Sequence, residues 1–374
     1  MVVWIICITA TFHGGSRAVS GSGREEKIKK GRVLMRNLFT PFSYKSLELK
    51  NRIVMPPMCQ YSVTNKDGKP NDWHLIHYTS RAIGGAGLII MEMTDIEPDG
   101  RLTEFDLGIW SDDHVPAFQR VIDAMHAHGA KVGIQIAHSG RKAEHIHTPV
   151  APSAIRFNER YGVPRELTTD EVKQLVEKFR DGVRRAVQAG VDTVEIHGAH
   201  GYLIHQFHSP LTNKRSDEYG QDLSKFGVEV IEAAKSEMPS NMPLIFRVSG
   251  VEYVEDGYGI NYIAEICKNY QKAGADIFHV SSGGEGPIGS GGSPGIHPGY
   301  QVPFARELKQ QLDCPVIAVG NLDDPFVAEA ALGNGEADLI AVGRGMLHDP
   351  YWALHAAETL KEEPEVPTQY LRAF

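Results

Sequence analysis

One short run, Glu195 to Pro210, reads EIHGAHGYLIHQFHSP and holds four histidines and a tyrosine. His197 and His200 are three apart, and so are His205 and His208. Imidazoles in pairs suit a few kinds of chemistry: they ligate a metal, they offer ring N–H groups to an anion, or they sit neutral in a core. A structural metal needs further ligands and a second layer of partners. Acidic residues are scarce on the neighbouring segments apart from Glu92, so no metal is expected. His205 and His208 fall where a helix should begin and read as core residues. His197 and His200, with Tyr202 two residues on, are left as the pair able to do chemistry.

Two other stretches carry chemistry of a different kind. AVGN ends in the Gly320 turn, and AVGRG carries Gly343 and Arg344. Glycine lets a backbone approach an anion closely, and arginine adds a fixed charge and a planar fork. Together they read as a phosphate site.

These residues must be positioned by something. From Arg52 onward, short apolar runs alternate with longer amphipathic segments. The runs are RIVM (52–55), GLIIMEM (87–93), KVGIQIAH (131–138), DTVEIHG (192–198), PLIFRVS (243–249), DIFHVSS (276–282), PVIAVG (315–320) and DLIAVGRG (338–345). Continuous apolar runs of strand length suit a parallel sheet covered on both faces. The segment after Thr168 has helical spacing, with Thr168 and Glu171 able to form a capping box and Gly190 placed to end it. NYIAEICKNYQKAGAD and DPFVAEAALGNGEAD repeat that logic. Eight strand–helix units predict an α/β fold, a (β/α)8 TIM barrel. A doubly wound sheet is the alternative, but no G-x-G-x-x-G follows the first strand.

A barrel carries its chemistry at the C-terminal strand ends. Those ends hold Met58, Cys59 and Tyr61; Glu92; Gln135 and His138, then Arg141 and Lys142; His197, His200 and Tyr202; Arg247; Ser281 and Ser282; Gly320; and Gly343 with Arg344. Nearly every position is polar or glycine, as a cofactor site requires.

The chain has 374 residues, 42% hydrophobic and 23% charged, ample for a large core. Its net charge of −9 leaves no electrostatic footprint for nucleic acid or an anionic membrane. Cys7, Cys59, Cys267 and Cys314 form no C-x-x-C pair, which argues against zinc, iron–sulfur and disulfide frameworks and fits a reducing cytosol. MVVWIICITATF is too short to span a bilayer, and a polar Gly/Ser-rich stretch follows it. Residues 1–34 are therefore expected to lie outside the fold, as a disordered extension or an upstream start wrongly included, with a short membrane anchor as the alternative. Residues 35–374 are expected to form the barrel.

NRIVMPPMCQYS, GLIIMEMTDIEPDGR, GIQIAHSGRKA, APSAI, EIHGAHGYLIHQFHSPLTNKRSDEYG, FRVS and AVGRGMLHDP resemble the Old Yellow Enzyme family of FMN-dependent reductases, from about Leu38 to the C-terminus. The cysteine in PMCQY and the His-x-x-His pair resemble its bacterial, thermophilic-type branch of NADPH dehydrogenases. The resemblance implies FMN across the barrel mouth and NADPH as reductant. It implies phosphate held at Gly320, Gly343 and Arg344, and a flavin edge lined by Pro56, Pro57, Met58 and Cys59. Gln135 would bond the pyrimidine part of the ring, and Arg247 would sit where negative charge gathers on reduction. Cys59 would tune the flavin. His197 and His200 would hold the carbonyl oxygen of an α,β-unsaturated substrate, and Tyr202 would protonate its α-carbon. Tyr61 would orient the substrate, and Lys142 would support this region. The tail PTQYLRAF implies a homodimer or tetramer in which Arg372 reaches a neighbouring active site.

Three departures stand out. DEYGQDLSKFGVEV lacks the family's Asn-Arg pair. Met93 takes the place of a small residue beside the flavin. GGEGPIGSGGSPGIHPGYQ is unusually Gly-rich and could loosen a substrate lid. Rival readings are a dienoyl-CoA-type reductase, for which the cysteines and length are lacking, a metal-dependent hydrolase built on the histidines, and a flavin-binding redox sensor without a dedicated alkene.

Overall fold

The computed structural model describes residues 37–286 and 296–373. The expectations for residues 1–34 and for the middle of the Gly-rich loop lie outside the described residues.

All eight apolar runs form strands: β1 (Ile53–Met55), β2 (Leu88–Asp95), β3 (Lys131–Ala137), β4 (Thr193–Gly198), β5 (Leu244–Ser249), β6 (Ile277–Ser281), β7 (Val316–Ala318) and β8 (Leu339–Ala341). Each pairs in parallel with its neighbours in chain order, and β1 pairs with both β8 and β2, which closes the barrel. Closure leaves no strand edge among these eight to protect. The helices are α1 (Asp72–Ile83), α2 (Val115–His126), α3 (Thr169–Gln188), α4 (Leu203–His208), α5 (Glu218–Gln221), α6 (Lys225–Glu237), α7 (Ile260–Ala273), α8 (Val302–Gln311), α9 (Pro325–Gly333), α10 (Arg344–His348) and α11 (Trp352–Leu360). Among the described residues, no helix is long and apolar enough to cross a membrane.

Local chemistry explains where the helices start and stop. The Thr168–Glu171 capping box opens α3, and Gly190 follows its end at φ +97. Gly274 closes α7 in the left-handed region at φ +118.

Parity sorts the strand residues. Val54, Leu88, Ile90, Ile245, Ile277, Ile317 and Leu339 form one apolar cluster inside the barrel. A hairpin of Phe42–Tyr44 and Leu47–Leu49 closes over that cluster with Phe42, Leu47 and Leu49. Side chains two and four residues further along each strand face the same way, toward the opposite end. That rule brings Arg247 and His279 into register and sets Arg247 beside His197. It also sets Gln135 beside Glu195.

One strand breaks parity. The register of β2 against β3 slips between Met91 and Met93, so that Met91 faces Ile134 and Met93 faces Gln135. Glu92 is the extra residue, a bulge that re-aims everything after it.

Candidate active site

The turn after β4 holds the reactive cluster. His197 is buried near the end of β4, and its Nδ1 accepts the Ala199 N–H at 3.2 Å. That bond leaves the ring proton on Nε2. His200 sits at φ +59 and is followed by Gly201 at φ +70. A non-glycine residue in the left-handed region carries strain of roughly 1–2 kcal/mol. Several bonds hold it there: His200 N–H donates to Ser249 Oγ at 3.1 Å, and Lys142 Nζ donates to the His200 carbonyl at 2.7 Å. The Ser281 hydroxyl donates to Gln301 Oε1 at 3.2 Å and lies 2.7 Å from His200 Nε2, which anchors that ring.

The His197 ring stands 5.2 Å from that of His200 and 4.9 Å from that of Tyr202, in both cases edge to face. Burial, then the Arg247 charge, holds both histidines well below their ordinary value, so they are neutral donors. Burial raises the Tyr202 phenol well above its ordinary value and keeps its proton on. Lys142 ties the cluster together: its ammonium also donates to the Gly284 carbonyl and lies 5.6 Å from the Tyr202 ring centre. Burial brings its ionisation down to about 8.

The neighbouring cavity, of ≈ 220 Å³, is lined by Pro56, Pro57, Met58, Arg247, Gly320, Gly343 and Arg344. These come from the ends of β1, β5, β7 and β8, residues far apart in the chain that the sequence reading had grouped. Gly320 needs glycine's freedom, at φ +126. Gly343 does not, at φ −84; a Cβ there would meet Met58 Sδ at 3.4 Å, an ordinary contact. Its glycine is therefore not demanded by backbone conformation. Arg344 reaches Asn321 at 3.4 Å.

Flavin mononucleotide fits this site on one unsatisfied atom above all. Arg247 Nε is buried with no partner among the described residues, and buried donors are nearly always matched. A flavin's pyrimidine edge supplies acceptors. Gln135, the second pyrimidine candidate, donates through Nε2 to Glu195 Oε1 at 2.7 Å. His279 Nδ1 lies 2.8 Å from the other oxygen of Glu195. Sequence reading missed Glu195 and His279, although both lie in strands and share the inward parity of Gln135 and Arg247. Met93 is buried at 2% exposure, in register with Gln135.

Cys59 follows β1, and burial, then Glu92, raises its thiol well above the ordinary value. Tyr61 is half-exposed at φ +51. Arg372 is exposed on the tail. The segment lacking the Asn-Arg pair is held another way: Asp217 caps α5 through Tyr219 N–H at 3.2 Å, and Lys225 reaches Glu229 at 2.9 Å.

The carboxylates that the histidine run seemed to lack gather elsewhere. Glu252 Oε1 lies 3.1 Å from His205 Nε2, and Glu285 Oε1 lies 3.7 Å from it. These three side chains could converge on an ion. Arg141 already pairs with Glu285, and Lys142 adds a second positive charge nearby, so the cluster carries its own compensation. His208 Nδ1 lies 3.1 Å from the Tyr270 hydroxyl, and Tyr258 OH lies 3.3 Å from His205 and 3.4 Å from His208.

Residues 37–363 match the model of the NADH:flavin oxidoreductase / NADH oxidase family. The chain belongs to that family, the Old Yellow Enzyme family. This flavin oxidoreductase is 46% identical over 343 residues to an NADPH dehydrogenase of Listeria innocua, covering 91% of this chain and all of that one. An NADPH dehydrogenase of Bacillus subtilis is 44% identical over 346 residues, covering 91% of this chain and all of that one. Among solved structures, morphinone reductase superposes with a TM-score of 0.75 at 28% identity, over 89% of this chain and 91% of its own. A 2-naphthoyl-CoA reductase complex reaches 0.81 at 26% identity, over 86% of this chain and 52% of that one. The barrel, and the oxidoreductase class, follow from the sequence and the structure together.

Proposed function

We propose that this flavin oxidoreductase takes reducing equivalents from NADPH on FMN and reduces the C=C bond of α,β-unsaturated carbonyl compounds. One observation carries the reading: two neutral imidazoles, His197 buried and His200 half-buried, meet a protonated tyrosine at one barrel turn, beside the cavity that suits the flavin. FMN, when bound, supplies the hydride.

The protein's residues do the rest. His197 and His200 donate two N–H groups to the substrate's carbonyl oxygen. Negative charge grows on that oxygen as the alkene is reduced, so the donors act where the transition state needs them. Neutral rings serve this purpose without surrendering a proton. Tyr202 gives its proton to the α-carbon. Arg247 carries the positive charge that a reduced flavin attracts, and Arg344 with the Gly320 and Gly343 backbone holds the phosphate. Tyr61 orients the substrate from the rim, and Lys142 fixes the turn beneath His200. Arg372, exposed on the tail, acts in the neighbouring subunit of a homodimer or tetramer.

The test is spectroscopic. A para-substituted phenol added to the oxidised yellow protein is expected to raise a long-wavelength charge-transfer band, since that needs flavin and the donor pair together. Anaerobic bleaching by NADPH followed by reoxidation with cyclohexenone completes it. Bleaching that the enone cannot reverse would leave a redox sensor instead.

A further inference from the structure

Glu92 has no part in the chemistry above, yet its surroundings are the most specific in the barrel wall. The bulge in β2 turns it away from the interior and onto the exit of β1. Its Oε2 accepts the Gln60 backbone N–H at 2.6 Å, and its Oε1 accepts the Tyr78 hydroxyl at 3.0 Å. Tyr78 OH in turn accepts the Glu92 N–H at 2.9 Å. His74 Nδ1 accepts the Asn71 N–H at 3.1 Å, and its Nε2 lies 3.4 Å from Glu92 Oε1. Glu92, Tyr78 and His74 are each 1% exposed or less.

A carboxylate served by two donors, with no cation paired to it among the described residues, is an unusual thing to bury. Burial pushes its ionisation up to about 8; the Gln60 and Tyr78 bonds pull the other way, and Asp106 adds repulsion. Burial holds His74 down to about 4, so it adds no charge. Asp95, at the end of β2, and Asp106 are the other acids facing Cys59.

We propose that Glu92 is a positioning residue for Cys59. Through the Gln60 peptide it fixes where the thiol stands, and through its charge it opposes thiolate formation there. The proposal rests on the reading of Cys59 as a side chain beside the flavin. Its consequence has a definite sign. As pH rises through about 8, Glu92 becomes negative. Cys59 then ionises later than a thiol with a neutral neighbour; below that pH its own burial keeps it an S–H donor.

The experiment follows Cys59 modification by methyl methanethiosulfonate in the FMN-loaded protein, resolved by mass spectrometry from Cys7, Cys267 and Cys314, from about pH 6 to about pH 10. Wild type is expected to show a logarithmic rate rising with less than unit slope near pH 8. Glu92→Gln should restore unit slope and react at least about threefold faster above that point. Glu92→Asp, which keeps the charge but shortens the reach to Gln60, should keep the break in slope. Superimposable wild-type and Glu92→Gln profiles would overturn the proposal. Should Glu92→Gln fail to fold, Tyr78→Phe removes one donor to the carboxylate and should move the break to higher pH; an unmoved break counts equally against it. A wild-type protein that binds no FMN would sink the flavin reading, while the thiol profile of that protein would still decide the role of Glu92.

Discussion

The two histidine pairs have the same spacing and almost the same ring separation, 5.2 Å for His197 and His200 and 5.0 Å for His205 and His208. Their neighbours differ entirely. The first pair meets a serine, backbone amides and a tyrosine at the barrel mouth, beside a cavity. The second lies on α4 among Glu252, Tyr258 and Tyr270, fully buried. Spacing therefore does not assign a histidine its chemistry. What assigns it is what surrounds the rings: an open cavity for the first pair, buried carboxylates and phenols for the second.

That contrast can be broken or sharpened on one energy scale. The largest effect is expected at the second pair. His205→Ala leaves Glu252 and Glu285 without their shared partner in the interior, which should cost roughly 3–5 kcal/mol of stability. A lower denaturant midpoint with unchanged turnover per bound FMN is the expected result; normal stability with lost turnover would reverse the assignment of the two pairs. His197→Ala should do the opposite. Cyclohexenone reduction should fall by about 10²–10³, or about 2.7–4 kcal/mol, with FMN retained. Activity within about twofold of wild type would remove the clamp. Tyr202→Phe comes next, slowing alkene reduction by about 10² while flavin reduction by NADPH stays unchanged. Equal slowing of both half-reactions would deny it the proton.

Acid joins the two regions. His197, His200 and His208 all have folded-state values well below the ordinary one, so each contributes stability above about pH 6.5 that is lost as pH falls. Glu92, raised to about 8, works the other way below that pH, so the histidine contribution is read as a difference: the thermal midpoint of His208→Gln should fall less than that of wild type between about pH 7 and about pH 5. Equal falls in the two proteins would mean that His208 is not held neutral. The smallest effect belongs to His208→Gln, which gives up the bond to Tyr270 for about 1 kcal/mol.

Much of this molecule is legible in its sequence because parallel strands buried on both faces read as apolar runs. RIVM and DTVEIHG needed no partner to be recognised. The capping box at Thr168 is equally local. Grouping Gly320, Gly343, Arg344 and Arg247 required only the rule that strand ends share a rim. What stayed hidden depends on pairing. Glu252 is 47 residues from His205 and His279 is 84 from Glu195, and no local pattern joins them. The anchor of the His200 ring is Ser281, on another strand. The slip in β2 is invisible because GLIIMEM looks the same with one residue more or less.

That slip makes β2 a strand whose length matters more than its lettering. Deleting Met93 and closing the bulge would seat Glu92 opposite Gln135, carrying a carboxyl toward the flavin's seat and away from Tyr78. Conservative replacements in the strand would be absorbed as ordinary changes of volume. A frame-preserving deletion of three nucleotides, the mildest of genetic lesions on paper, would invert the polarity of the wall.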